Sequence, residues 1–299
     1  MYFVYDGKKA WITSEKVKGK GVGSVNTKEG VVSIVYQTTS IFLINKNTKK
    51  ENVTQLFPLL KSNLQKQIRR GDKEAVTTAN MMLDLNDFEL LRRLSIIAAE
   101  DVTLSQETSV IVWLMAAVSK RYILSPKDKN FILQYVFSLT QYFHCRRLEL
   151  HEKLNDNLCM KDVLESSYKD KEKLAGILFR VHFGGLSGDL PMLAELCDDF
   201  LKSGRKLESI LTQQAYEICP LKICDAAIDF HIYHDLLHLI QEDIGIDEDI
   251  IKRCIWECSS RINFRFAEQT TLQNTWERIK PSFLFHTKTY LSKVIKKYL

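Results

Sequence analysis

"LQKQIRRGDKEAVTTANMMLDLNDFELLRRLSIIAAEDVTLS", running from Leu64 to Ser105, decides the fold class. Gly71 directly follows Arg69-Arg70, where left-handed backbone ends a helix, and Asp72 stands where it can cap the next one. Ala75, Val76, Ala79, Met82 and Leu83 then share one helical face. Asn86 and Glu89 make a capping box, a local restart signal, and Phe88, Leu91, Leu94 and Ala98 follow at helical spacing. The stretch is therefore helical throughout, with punctuation at Gly71 and Asn86.

Toward the C-terminus the pattern persists. Ser105 precedes a helix through Ile111, Trp113, Leu114 and Val118. Ser125-Pro126 provides a cap and a first-turn proline for a long helix predicted to reach about Leu150. A helix over 160–183 meets the break "GGLSGDLP", Pro191 starts another that ends near Gly204, and further helices are predicted over 205–218, 221–242, 247–261 and 270–297. Toward the N-terminus the reading changes. "YFVYDGKKAWIT" holds two short β-rich runs around Asp6-Gly7, a hairpin-turn dipeptide, and "GVVSIVYQTTSIFLIN" is rich in Val, Ile, Tyr and Thr with a break at 37–40. "KVKGKGVGSVNTKEG" between them is expected to be a Lys/Gly loop, and "NKNTKKEN" a linker. The expected fold is mainly α, a small N-terminal β element followed by an α-helical array. Its divisions are residues 1–52, a helical domain over 53–150 and a second helical domain over 151–299.

The residues Leu64, Gln65, Lys66, Arg69, Arg70, Gly71 and Asp72, followed by Arg92, Arg93, Leu94, Glu100, Asp101 and Val102, carry a resemblance. Their order and spacing resemble the C-terminal helical region of the MgsA/RarA and Werner-helicase-interacting AAA+ ATPases over residues 56–125. Thr103-Leu104 stands where that family has Gly followed by a hydrophobic residue. The resemblance implies a module like the collar of clamp loaders, which holds subunits together while a separate AAA+ module hydrolyses ATP at stalled replication forks. Only 55 residues precede the matching stretch, too few for such an ATPase module. Gly19-Lys20-Gly21-Val22-Gly23-Ser24 lacks the Gly-x4-Gly-Lys-Ser/Thr order that engages phosphate and magnesium, and reads as a basic turn linking strands. The expectation is a collar-like module without its engine: no enzyme and no cofactor.

A chain of 299 residues with 45% hydrophobic and 26% charged residues belongs with water-exposed globular proteins. No apolar run approaches the length of a membrane span, and the N-terminus lacks signal-peptide architecture. Seven scattered cysteines do not form a disulfide framework, which points to a reducing compartment, nuclear or cytoplasmic. The net charge of +5 is unevenly spread: residues 1–50 and 278–299 each carry +6, and the middle is acidic. Basic ends of this kind suit phosphates or anionic partners, or are solvated lysine decoration. Lys66, Arg69, Arg70, Arg92 and Arg93, near helix ends, are the candidate nucleic-acid contacts. The alternative keeps Arg92 and Arg93 paired with Glu89, Glu100 or Asp101 inside the array. In "WERIKPSFLFHTKTYLSKVIKKYL" the interleaved aromatics suit either a nucleic-acid surface or burial against the array.

Metal chemistry has a weaker footing. His231, His234 and His238 fall within one arc of about 60° at helical spacing. Together with Cys254 and Cys258 on a later helix, His234 and His238 could compose a tetrahedral zinc set. Neither CxxC nor HExxH spacing is present, and the cysteines sit among isoleucines as small hydrophobes. His234-Asp235 matches the HD pair of metal phosphohydrolases in that dipeptide alone. The reading is thus a non-enzymatic accessory or assembly protein of DNA replication or repair. It would engage a protein partner or itself through the helical array, with DNA as a further partner and no membrane. A zinc or HD-like hydrolase and a purely structural scaffold are the alternatives.

Overall fold

The computed structural model describes residues 1–37, 56–142, 158–185, 188–231, 234–260 and 272–298. The chain starts as a four-stranded sheet of β1 (Tyr2–Tyr5), β2 (Ala10–Thr13), β3 (Lys20–Thr27) and β4 (Gly30–Tyr36), in the order β2-β1-β4-β3. Asp6-Gly7 makes the β1–β2 turn: Asp6 Oδ1 accepts from the Lys8 and Lys9 amides at 2.8 and 2.7 Å, and Gly7 takes φ +91°. β1 pairs antiparallel with β2 and parallel with β4. The Lys/Gly segment expected as a loop is instead largely β3, an edge strand antiparallel to β4. Its glycines and lysines obscure the β pattern because an exposed edge needs few apolar side chains and tolerates lysine. The predicted break at 37–40 and the linker after it lie largely outside the described residues.

Ten α-helices follow among the described residues: α1 (Leu56–Arg70), α2 (Ala75–Asp101), α3 (Gln106–Ser119), α4 (Pro126–Gln141), α5 (Met160–Glu165), α6 (Lys171–Leu178), α7 (Asp189–Ser203), α8 (His234–Ile244), α9 (Glu248–Ile255) and α10 (Gln273–Tyr298). The architecture is mainly α with a small N-terminal sheet, as the sequence pattern indicates. Gly71 (φ +74°) closes α1, with the Asp72 amide reaching back to Gln67 O at 2.8 Å. At Asn86 the backbone leaves helical geometry (φ −161°, ψ 90°) and its Oδ1 accepts from the Glu89 amide at 3.1 Å, so α2 is two helices joined at a cap. Ser125 and Asp128 form the capping box of α4, which ends at Gln141 rather than near Leu150.

Ser109 Oγ donates to Ala10 O at 2.8 Å and Trp113 Nε1 to Phe3 O at 3.0 Å, so α3 holds the sheet against the helices. Gly176 on α6 lies under Phe3, where a Cβ would stand 2.4 Å from Ser109 Oγ and 3.1 Å from the Phe3 ring. One cluster of buried apolar residues runs from Phe3 through Trp113 and Phe179 to Leu291.

The helix expected over 205–218 is absent. Residues 205–224 have no regular structure and form a strap across α1 to α4. Ile210 N donates to Glu107 Oε2, Thr212 N to Ser138 Oγ and Cys219 N to Thr77 Oγ1, while Gln134 Nε2 donates to the carbonyls of Thr212 and Gln214. Side chains of the helices thus satisfy backbone groups that a helix would have satisfied internally. The stretch expected over 221–242 becomes a 3-10 turn (Asp225–His231) and α8. That over 160–183 divides into α5, α6 and a 3-10 turn (Phe179–Phe183).

Candidate functional site

Of the fifteen residues of α1, only Pro58, Lys61 and Arg70 escape burial, yet half of the buried ones are polar: Ser62, Asn63, Gln65, Lys66, Gln67 and Arg69. A buried helix is normally apolar all round, so each of these groups needs a partner. Residues four apart share a face, and two opposite faces of α1 use this spacing. On one, Asn63 and Gln67 both donate to Lys222 O at 3.0 Å, and Asn63 Oδ1 accepts from Cys224 N at 2.9 Å, which anchors the strap. Thr78 Oγ1 ties the pair together, accepting from Asn63 at 2.9 Å and donating to Gln67 Oε1 at 2.7 Å.

On the other face, Gln65 and Arg69 meet the end of α2. Arg69 Nε donates to Asp101 Oδ1 at 2.5 Å and its Nη2 to Glu100 Oε1 at 2.9 Å. Gln65 Nε2 donates to Glu100 Oε2 at 2.7 Å and to Asp101 Oδ2 at 3.1 Å. Arg93 completes the group, giving Nη2 to Gln65 Oε1 and Nη1 to Asp189 Oδ2 on α7 at 2.9 Å. The Arg69 and Asp101 side chains are 1% and 0% exposed. Burial, then the adjacent Asp101, raises the Glu100 carboxyl above the ordinary range, against the pull of Arg69 and Arg93. Acids about thirty residues downstream of "RRGD" are therefore its internal counter-charges.

Beside this network lies a cavity of about 600 Å³, lined among others by Lys61, Ser62, Arg92, Arg93 and Arg180. Glu89 receives Lys61 Nζ at 2.6 Å and Arg92 Nη1 at 3.1 Å. Burial alone would raise the Glu89 carboxyl; the hydrogen bonds and charges of Lys61 and Arg92 outweigh it and hold the carboxyl below its usual value. Arg180, in the 3-10 turn after α6, is 2% exposed and donates to Arg92 O at 3.1 Å and Gly184 O at 2.8 Å. Burial, helped by the Arg92 charge, lowers its guanidinium to about 10, still protonated at neutral pH.

The five cations proposed for nucleic acid do not form one outward surface. Lys66 is fully buried with its Nζ 5.4 Å from the centre of the Trp256 ring, and Arg69 is spent on Glu100 and Asp101. Arg70 donates to Ser259 O at 2.5 Å. Arg92 and Arg93, half-buried, line the cavity. A duplex phosphate cannot reach Lys66 or Arg69 where they stand. The internal pairing weighed as an alternative holds for Arg92 with Glu89 and for Arg93 near Glu100.

Of the metal candidates, His238 has a 61% exposed side chain between Glu242 (3.2 Å) and Glu248 (3.8 Å). Cys254 is fully buried, its thiol pushed up by burial, and Cys258 lies half-buried in the π-helical turn after α9. The side chains of His231 and His234 lie outside the described residues. Among the described residues no group of three or more His, Cys, Asp or Glu is placed to hold a metal ion. Sequence reasoning missed Arg180 and Asp189 altogether. The signal for Arg180 was a single arginine inside the apolar run Ile177-Leu178-Phe179-Arg180-Val181, which a solvated helix face does not produce.

Comparison with family models, curated proteins and solved structures returned no match for this chain. Among the described residues, no helix is long and apolar enough to cross a membrane.

Proposed function

We propose that this chain is a non-catalytic assembly or accessory factor of DNA replication or repair, built on a collar-like helical pair and working through a protein partner or a second copy of itself. The observation that carries the reading is the convergence of the two motif segments behind the resemblance. Gln65 and Arg69 of the first meet Arg93, Glu100 and Asp101 of the second in one buried network. Residues that match a family pattern at two separate places, and that also contact each other, support a shared helical core more strongly than either segment alone.

In this reading the network supports a rigid module, because a buried, fully paired ionic group specifies one packing of α1 on α2. Contact with DNA then falls to exposed cations elsewhere: Lys8, Lys9, Lys16, Lys18, Lys20 and Lys28 around the sheet, and Arg278, Lys280, Lys288 and Lys293 on α10. Exposed Trp256, Ile250 and Phe285 in the α9–α10 region give a protein partner apolar surface.

Sedimentation equilibrium of the full chain tests the assembly role. A species above the 34.7 kDa monomer, or one stoichiometric partner in a pull-down, is the expected outcome. A monomer at micromolar concentration that retains no partner overturns it.

A further inference from the structure

We propose that the cavity between α1, α2, α7 and the 3-10 turn after α6 binds a small phosphate monoester, with Arg180 at its floor and Lys61 and Arg92 at its wall. The inference goes beyond the proposed assembly role and does not depend on it.

The floor is built for a guest. Arg180 is 2% exposed, and two of its three nitrogens give hydrogen bonds to carbonyl oxygens. Its Nη2 has no acceptor among the described residues, and no carboxylate there pairs with the guanidinium. A buried guanidinium with no carboxylate in direct contact is costly, even with Asp189 and Glu89 acting on it from farther away, and an entering anion lowers that cost. Ser62 Oγ, on the α1 side of the same cavity, is a buried polar atom without a hydrogen-bond partner. Native proteins leave few such atoms unsatisfied, and this hydroxyl in one cavity with the Arg180 guanidinium points to a ligand that carries both acceptor and hydroxyl-compatible oxygens.

The charge of the wall selects the guest. Lys61, Arg92, Arg93 and Arg180 stand against Glu89 and Asp189, an excess of two positive charges. Both carboxylates are already engaged, Glu89 by Lys61 and Arg92 and Asp189 by Arg93. A dianion balances this wall where a carboxylate leaves it half-compensated, and guanidinium forks match phosphate oxygens in pairs. A phosphodiester carries chain on both sides and cannot descend to a floor with Arg180 this buried; a terminal phosphate can. The 600 Å³ volume lies inside the range of small-ligand pockets, and the apolar Pro58 and Ile96 on its lining suit a compact body behind the phosphate.

The test is calorimetric titration of the full chain with inorganic phosphate and with phenyl phosphate, with acetate as the monoanion control, at low ionic strength. Arg180 also braces the fold through the Arg92 and Gly184 carbonyls, so the diagnostic variants are Arg92→Gln and Lys61→Gln, whose thermal melts establish that they fold. Saturable one-to-one binding of phenyl phosphate, weakened about tenfold or more in each folded variant, is the expected result. The absence of saturation at millimolar ligand overturns the proposal. So does binding that the variants leave unchanged, acetate binding as tight as phosphate, or binding of a 5′-phosphorylated oligonucleotide but of neither small phosphate.

Discussion

Two regions of this molecule look alike in sequence and differ in what their charges do. The α1–α2 pair and the α10 end are both rich in Lys and Arg. In the first, Arg69 is 1% exposed and locked to Asp101 and Glu100; in the second, Arg278, Lys280, Lys288 and Lys293 are exposed to solvent. The difference lies in what surrounds them. Arg69 belongs to a helix covered on nearly every side, so its charge needs acids delivered by another helix. The α10 cations stay exposed to solvent on the same helix that buries Trp276, Ile279, Phe283 and Leu291, so their charges need no acid from another helix. A basic cluster is a structural device or a surface depending on the neighbours that tertiary packing supplies.

The largest test of this contrast is to break one partner in each region. Asp101→Asn leaves Arg69 buried beside a weaker acceptor and is expected to destabilise the fold by up to about 3–5 kcal/mol in urea denaturation. The double change Arg69→Met with Asp101→Leu should recover much of that loss, because an apolar pair leaves no charge uncompensated. If Asp101→Asn costs no more than an exposed lysine substitution on α10, the contrast fails.

The strap gives an intermediate effect. Glu107 accepts from Ser209 Oγ at 2.6 Å and from Ile210 N at 3.2 Å. Glu107→Ala therefore leaves strap donors unsatisfied and should cost about 1–3 kcal/mol. Hydrogen exchange should locate the loosened amides between 205 and 224 and leave the α8–α10 amides unchanged.

The pH dependence of the two regions should have opposite signs. The Glu100 carboxyl is raised above its ordinary 4.5 by burial and by Asp101. Its contribution is full below that value and is lost as pH rises through the folded pKa. Glu100→Gln, which imitates the protonated form, should flatten the stability profile on that side. Asp243 on α8 is lowered from 3.8 by hydrogen bonds from Ser282, at 2.6 Å, and His286, at 2.8 Å. Its contribution is present above 3.8 and disappears as pH falls through the folded pKa, so Asp243→Asn should flatten the acid side instead. Thermal melts of both variants across mildly acidic pH check the two signs.

The smallest effects belong to the surface. Lys280→Ala and Lys288→Ala should each change stability by less than about 0.5 kcal/mol. If α10 contacts duplex phosphates, each should lower the slope of log affinity against log salt by about 0.9. An equal change in slope from Arg69→Met, in a variant that melts normally, would erase the distinction between the two regions.

The sequence by itself determined the elements whose signals are local. A cap acts within three or four residues, so Gly71, Asn86, Ser125 and Gly204 mark helix ends correctly, and Asp6-Gly7 marks its hairpin, with no knowledge of distant neighbours. It also contained both halves of the buried network, as the Arg69 and Glu100-Asp101 segments, without saying that they meet. Tertiary structure alone decided the rest. The strap over 205–224 has helical apolar spacing but stays irregular, because Asn63, Glu107, Gln134 and Ser138 on three other helices take up its backbone groups. β3 exists because β4 offers it an edge. The cavity beside Arg180 exists because the 3-10 turn after α6 meets α1 and α2, which lie about ninety residues or more earlier. The division follows range: propensity, capping and turn chemistry are encoded next to the residues they govern, whereas burial of a charge and the origin of its counter-charge depend on which distant segments pack together.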